Sequence, residues 1–521
     1  MRALGDRARH SPKYRWWVLW ASLSGLLSTN LLFTVFVVAL PQVARGLHTN
    51  VASVTWVVTA PMLAFGVGAP LVGKASDLFG HRRVFLTGVI LEAAVAVLSA
   101  TAPNIGVLIL ARALGGLVGA SIGAASMALV LSVFDKSERV KALGFWSLVG
   151  AGGPVLGVAI GGPVIQLFGW RWMFVLQIPL LAMSALLARS VLPERAAGRR
   201  QLSAGELQLD WRGALSVATA VGAFLLALNR GPLWGWGSPG VVSALAVAVV
   251  AGAVFASVER RAADPVFPLL YLRRRNFVFP IAAQTLANFA YIGAFFMAPL
   301  LLEEVFGYAH NQSAVGFLSL PRPIVFSLVA PVAGYITMRI GERTSAIVGT
   351  SAVVASMAVF ALTQRSTGLA LVEVAFVLSG IGLGVGQPPL SASAANEFLP
   401  EDLGAASAAQ QLMLQLGTVA GIQVMQTVQA AVARGRSGQA ALLSSFHVAF
   451  VVGGAVALFG VAAAAMTRST ERLPLPAGLD GAAAGAAPAE VPVVGHAVRP
   501  AVEPAAGPAA DPAVALSELR P

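Results

Sequence analysis

The sequence predicts an all-α polytopic membrane protein with fourteen transmembrane helices, and three observations predict it. Hydrophobic residues fill 57% of the 521 positions and charged residues only 11%, against about 25% charged in a soluble domain. Apolar stretches of about 20 residues, each long enough to cross roughly 30 Å of hydrocarbon, recur along the chain. Basic residues crowd into alternate connecting loops, all but the last of them, as they do when those loops face the cytoplasm.

In chain order, the stretches fall at 16–40, 52–73, 84–102, 105–131, 141–168, 172–191, 212–229, 239–257, 277–302, 313–338, 344–364, 367–394, 405–431 and 446–466. The first follows a basic segment, Met1 to Arg15, and runs about twice the length of a signal-peptide core with no small-residue cleavage site. It reads as a retained helix. The fifth, twelfth and thirteenth are rich in Gly, Ala and Ser, which lets helix backbones approach closely. Beyond about Thr470 the composition turns to Ala, Pro and Gly, too poor in large apolar side chains to offset chain entropy, so a disordered tail is expected.

Orientation follows from the cations. With the first residues inside, alternate loops and the N-terminal segment hold 23 Lys and Arg, and the remaining loops hold six: Arg45, Arg171, Arg230, Arg365, Arg434 and Arg436. Such a split places both termini in the cytoplasm of a multi-pass inner (plasma) membrane protein.

Composition also excludes classes. There is no cysteine, hence no disulfide framework or thiolate metal site. His10, His48, His81, His310, His447 and His496 have no metal-ligand spacing. The net charge of +12 is spread over short loops instead of a basic patch, so nucleic acid is not the expected partner. No loop exceeds about 20 residues, near the length of one membrane span, and none gathers catalytic carboxylates, so an enzyme is not expected.

A repeat appears at an offset of 261 residues. Ala69-Pro70-x-x-Gly73-x-x-x-Asp77-x-x-Gly80 recurs as Ala330-Pro331-x-x-Gly334-x-x-x-Met338-x-x-Gly341. Two copies in one orientation imply halves related by an axis along the membrane normal. The predicted layout is a basic N-terminus (1–15), a six-helix bundle (16–191), linkers with an inserted helix pair (192–276), a second six-helix bundle (277–466) and the tail (467–521).

Three motifs carry chemistry. In Gly73-Lys74-Ala75-Ser76-Asp77-Leu78-Phe79-Gly80-His81-Arg82-Arg83 the glycines permit a tight turn, and Asp77 can cap a helix N-terminus or pair with arginine between the halves. The fourth helix carries Leu108-x-x-x-Arg112-x-x-Gly115-Gly116; a guanidinium within a membrane marks a pathway or snorkels to an interface. The fifth reads Gly153-Pro154 through Gly157 to Gly161-Gly162, its glycines on one face forming a groove for a neighbour.

These motifs resemble signatures of the major facilitator superfamily. Trp170-Arg171-Trp172-Met173-Phe174, Leu209-Asp210-Trp211-Arg212-Gly213, Gly231 to Trp236, Pro265 to Phe277 and Gln415-Leu416-Gly417 resemble its fourteen-helix drug:proton antiporter branch, and the likeness spans nearly all of 14–470. The resemblance implies the major facilitator fold, with two six-helix bundles and two inserted helices. It further implies a gating loop (Gly73, Asp77, Gly80, Arg82, Arg83), proton coupling through Arg112, and an antiporter-motif helix (Gly153, Pro154, Gly157, Gly161, Gly162). The departures are His81 where arginine is usual, Gly115 where glutamine is common, proline at 154 instead of at Val158, and Leu32 where the branch has a first-helix aspartate.

Glu92 alone among the 23 acids falls near the middle of a stretch. It reads either as the proton carrier or as a hydrogen-bonded structural glutamate. Asn30, Gln284, Asn288, Tyr291, Arg322 and Gln387 are candidate cavity groups, with Arg322 flanked by Pro321 and Pro323 and matched in the first repeat by Pro61. The expectation is a monomeric exporter of hydrophobic or amphipathic drugs, antibiotics or natural products, working by alternating access with the proton gradient as energy source and no cofactor. An uncoupled facilitator or importer is the alternative, supported by Leu32.

Overall fold

A backbone inside a bilayer has no water to bond to, so each apolar stretch must satisfy its own amides as an α-helix. The computed structural model describes residues 13–49, 51–192, 211–262, 265–308, 312–434 and 438–468, and among these there is no β-strand. The predicted disordered tail, and the N-terminal segment before Lys13, lie outside the described residues.

The helices are α1 (Tyr14–Gly46), α2 (Val51–Phe79), α3 (His81–Ala100), α4 (Ile105–Val133), α5 (Arg139–Phe168), α6 (Trp172–Val191), α7 (Trp211–Trp234), α8 (Pro239–Glu259), α9 (Arg275–Glu304), α10 (Gln312–Ser319), α11 (Pro321–Ile340), α12 (Glu342–Ala361), α13 (Ala370–Asn396), α14 (Leu403–Ala433) and α15 (Gln439–Met466). Among the described residues, eleven spans are long and apolar enough to cross a membrane by length and composition alone, with α10 and α11 counting as one. The 33, 30 and 31 residues of α1, α5 and α14 complete fourteen membrane-length rods.

The tenth predicted helix is therefore two pieces. Pro321 and Pro323 have no N–H to give to carbonyls four residues back, and the chain breaks at Leu320, whose own N–H turns to Phe317 O at 3.2 Å. Elsewhere the ends are sealed locally. Asn104 caps α4 by accepting from Val107 N at 3.0 Å, and Ser238 caps α8 at 3.4 Å. Gly80 and its repeat mate Gly341 take φ of 91° and 93°, a left-handed conformation that glycine alone adopts without strain.

Helices α1–α6 pack among themselves, as do α9 and α11–α15, and the two sets meet chiefly where α2 and α4 lie on α14 and where α5 lies on α11 and α13. The inserted pair is placed unequally. Helix α7 packs on both α2 and α14, whereas α8 packs on α7 and turns Val242, Val247, Val249, Val250 and Val254 outward. The chain returning from α8 is pinned by Tyr271, whose hydroxyl donates to Asp402 Oδ2 at 2.7 Å and whose ring stacks on Phe398. Burial, then the bond to Asp402, pushes that phenol up to about 12, so it stays a donor at neutral pH.

Candidate functional site

At the arginine-rich end, Asp77 in the last turn of α2 reaches across to the first turn of α14. Its two oxygens accept the backbone N–H groups of Gly404 (2.7 Å) and Ala405 (2.8 Å). These are orphan donors at a positive helix end, where a carboxylate is favoured. Asp402, the residue at the α14 cap position, makes no such bond. Gly73 permits the approach: a Cβ there would lie 2.3 Å from Ala408 Cβ and 2.9 Å from Gly404 O. His81 is buried and hydrogen-bonded to Ser76 at 2.7 Å. Arg82 donates to Arg189 O at 2.7 Å, and Arg83 is exposed.

The second repeat copy makes the matching contact on the other side. A Cβ on Gly334 would lie 2.9 Å from Lys141 Cα, and one on Gly144 would lie 2.6 Å from Ala330 O. Met338, in the place of Asp77, is 48% exposed. Here the charged bonds run the opposite way, from cations to a helix C-terminus. Arg139 donates to Ala395 O (3.4 Å) and Asn396 Oδ1 (3.0 Å), and Lys136 donates to Asn396 O (2.9 Å).

Inside the first helix set, Glu92 on α3 and Arg112 on α4 are both buried. Gln177 on α6 donates to Ser28 O on α1 (3.1 Å) and to Glu92 Oε1 (3.4 Å). Glu92 Oε2 is buried with no hydrogen-bond partner among the described residues. Arg112 lies 5.8 Å from the Phe174 ring centroid. A Cβ placed on Gly115 would stand 3.8 Å from both Arg112 Nη1 and Glu92 Oε1. The acid and the guanidinium therefore both face Gly115, beside Val95, whose Cγ1 would lie 3.3 Å from the same Cβ. Gly153 on α5 receives α1 closely, a Cβ there meeting Asn30 Cβ at 2.8 Å, while Gly157 and Gly161 are buried further along. The surroundings of Gly162, and the side chain of Leu32, lie outside the described residues.

Inside the second set, Arg322 in the first turn of α11 is fully enclosed. Its guanidinium carbon lies 3.7 Å from the Tyr291 ring centroid and 5.5 Å from that of Phe295. Gln284 donates to Ser391 Oγ (3.0 Å), and Asn288 donates to Leu414 O (2.9 Å) and Thr418 Oγ1 (2.8 Å). Gln387 is buried on α13.

The family model described as Major Facilitator Superfamily matches residues 22–422. The chain belongs to the major facilitator superfamily. A puromycin resistance protein from Streptomyces alboniger is 32% identical over 80% of this chain and 82% of its own length. A tetracenomycin C resistance and export protein from Streptomyces glaucescens is 29% identical over 80% and 76%, and a methylenomycin A resistance protein from Streptomyces coelicolor is 30% identical over 83% and 90%. The crystal structure of the human organic anion transporter MFSD10 covers 86% of this chain and all of its own, with TM-score 0.58 and 16% identity; at that identity the likeness is one of fold. The chain is a multi-pass transporter of this superfamily.

For this superfamily member, sequence reasoning named both Glu92 and Arg112 for proton coupling, and the fold brings the two side chains to Gly115. It did not single out Gln177 or Ser28, because a single amide or hydroxyl on an apolar helix carries no signal about its direction. Gln284 and Asn288 bridge helices, as lone helical amides do. Gln410 also escaped notice. Both its amide atoms are buried without a hydrogen-bond partner among the described residues, yet in the sequence it is one of many glutamines on α14.

Proposed function

We propose that this chain exports hydrophobic or amphipathic small molecules across the plasma membrane in exchange for protons, by alternating access of two six-helix halves. Both termini and the arginine-rich end then face the cytoplasm. Export as the direction is supported by relatives whose names are those of antibiotic resistance and export proteins. In this reading the described arrangement is closed toward the cytoplasm, with Asp77 on α14 and Arg139 on α13 as the bonds to be broken on opening.

The observation that carries proton coupling is the Glu92–Arg112–Gln177 cluster. A carboxylate there is held by the neighbouring guanidinium, and a carboxylic acid can still bond Gln177, so both protonation states have partners. A change of charge at Glu92 alters the attraction between α3 and α4. Glu92 is the proposed carrier and Arg112 the group that tunes it.

The test uses inverted vesicles with a pH gradient. Glu92→Gln is expected to abolish uphill substrate accumulation while leaving downhill equilibration in place, and Arg112→Lys to weaken the accumulation less. An uncoupled facilitator or importer, which Leu32 favours by placing no acid on the first helix, would give transport indifferent to gradient collapse. Intact gradient-driven export by the Glu92→Gln variant would show that the proton travels elsewhere.

A further inference from the structure

Arg322 holds a charge that meets the Tyr291 ring but no carboxylate among the described residues. It is 0% exposed, and Nε, Nη1 and Nη2 are all without a hydrogen-bond partner among the described residues. A guanidinium has five N–H donors, and burying them unpaired in a membrane protein is strongly unfavourable. The stack on Tyr291 at 3.7 Å offsets only part of that cost.

Helix packing does not require this side chain. Residue 322 meets α13 through its backbone: a Cβ on Gly380 would lie 2.5 Å from Arg322 O. The first half makes the same contact with Pro61, whose carbonyl oxygen would lie 2.0 Å from a Cβ on Gly116. The fold accepts proline at this position, so the arginine is there for its charge. It also sits in the first turn of α11, just past the break at Leu320, where the helix dipole adds to the positive potential. The neighbouring apolar cluster of Tyr291, Phe326 and Leu383 packs against Ala151 of α5, so it borders the surface along which the halves must separate.

We propose that Arg322, stacked on Tyr291, is a counter-charge for an acidic group of the transported molecule, a carboxylate or an ionised enol or phenol on an apolar body. The proposal deepens the exporter reading and rests on it. Tyr291 and Phe295 orient the guanidinium plane and receive the apolar part of the ligand, and a carboxylate takes two of the N–H donors at once. Gln284 and Asn288 are already engaged with Ser391, Leu414 and Thr418, so they are not the groups expected to answer the charge.

The experiment uses full-length purified protein and two probes, a fluorescent long-chain carboxylic acid and its methyl ester, at pH 7, where the acid is ionised. Binding is read by fluorescence and by ligand-dependent thermal stabilisation, without any gradient. Its outcome is therefore separate from that of the proton-coupling test. Wild-type protein is expected to prefer the acid by at least about tenfold, the scale of a charge-assisted hydrogen bond. Arg322→Gln should remove the preference while ester binding persists, and Arg322→Lys should keep part of it. Tyr291→Leu should weaken both probes. Should Arg322→Gln fail to fold, the Lys variant and the wild-type preference still decide. Equal binding of acid and ester by wild-type protein would overturn the proposal. So would binding of neither probe, a preference that survives in a folded Arg322→Gln protein, or stabilisation by chloride alone equal to that by the acid.

Discussion

The two seams between the halves are built from the same repeat but fastened by opposite charges. At α2/α14 a carboxylate, Asp77, sits on a helix N-terminus. At α5/α11 the repeat carries Met338, and the charged fastening is made nearby by Arg139 and Lys136 on the C-terminus of α13. Lys141 there lies 4.6 Å from the Tyr335 ring and 5.0 Å from that of Trp16. Backbone approach is what the seams share, through Gly73 with Gly404 on one side and Gly334 with Gly144 on the other. The glycines define how closely the halves can come, and the charges define how firmly they stay. A helix dipole offers an attachment at either end, so duplicated halves can diverge in sign and still close.

The largest effect should come from filling the glycine contacts. A methyl group at Gly404 would lie 2.4 Å from Asp77 Oδ1 and 2.6 Å from Gly73 O, and one at Gly144 would lie 2.6 Å from Ala330 O. Overpacking of this kind costs about 1–3 kcal/mol, and here the cost falls on the closed state. The chain has no cysteine, so spin labels can be introduced as pairs. Phe79 with Glu401 reports on α2/α14, and Asp135 with Met338 on α5/α11, all four being exposed. Gly404→Ala and Gly144→Ala should each lengthen both distances, because rigid halves cannot part at one seam alone. Lengthening confined to the mutated seam would replace rocking with local bending.

Removing the charges should act more mildly. Arg139→Gln leaves carbonyl groups of α13 without their cation, at about 2 kcal/mol for bonds to a charged donor. Asp77→Ala uncaps α14 at about 1–2 kcal/mol. Each is expected to raise the open population roughly five- to thirtyfold, again at both label pairs. A seam that opened for Arg139→Gln but not for Asp77→Ala would mean that only one of the two fastenings holds the halves together.

Much of this was legible in the sequence, for physical reasons that can be named. A bilayer demands about 20 apolar residues per crossing, so the rods announced themselves, and the second glycine of each repeat was readable because turns of φ near +90° admit little else. The capping role of Asp77 was one of two readings, and geometry chose it, since the partner lies 327 positions away. The break at Leu320 lay behind the prolines at 321 and 323, which signalled a bend without fixing its place. The Glu92 cluster was half legible. The charges stood out against hydrocarbon, but the bond from Gln177 and the meeting of both charges at Gly115 exist only through the packing of α3, α4 and α6, which one sequence does not encode in any local pattern.

The smallest expected effect tests whether the inserted pair makes the seams unequal. Helix α7 covers α2/α14 and has no counterpart over α5/α11 among the described residues. It is tied to α2 by Arg230, 3.8 Å from the Trp56 ring centroid, and to α14 by the loop after it, where Trp236 Nε1 donates to Thr427 Oγ1 at 3.3 Å. Gly231 provides the seat for that indole, since a Cβ there would lie 2.7 Å from the ring. The half-buried cation–π contact contributes about 0.5–1 kcal/mol, and the exposed neutral hydrogen bond about 0.5 kcal/mol. Arg230→Ala with Trp236→Phe should therefore loosen α7 by about 1 kcal/mol at most, too little to unfold the bundle. Amide exchange along α7 is expected to rise several-fold, while α8, which packs on α7, follows it and α5/α11 is unchanged. If α7 stayed protected, its hold would come from the apolar contacts of Val221 and Leu225 with Val419, and these two polar ties would only set its register against α2 and α14.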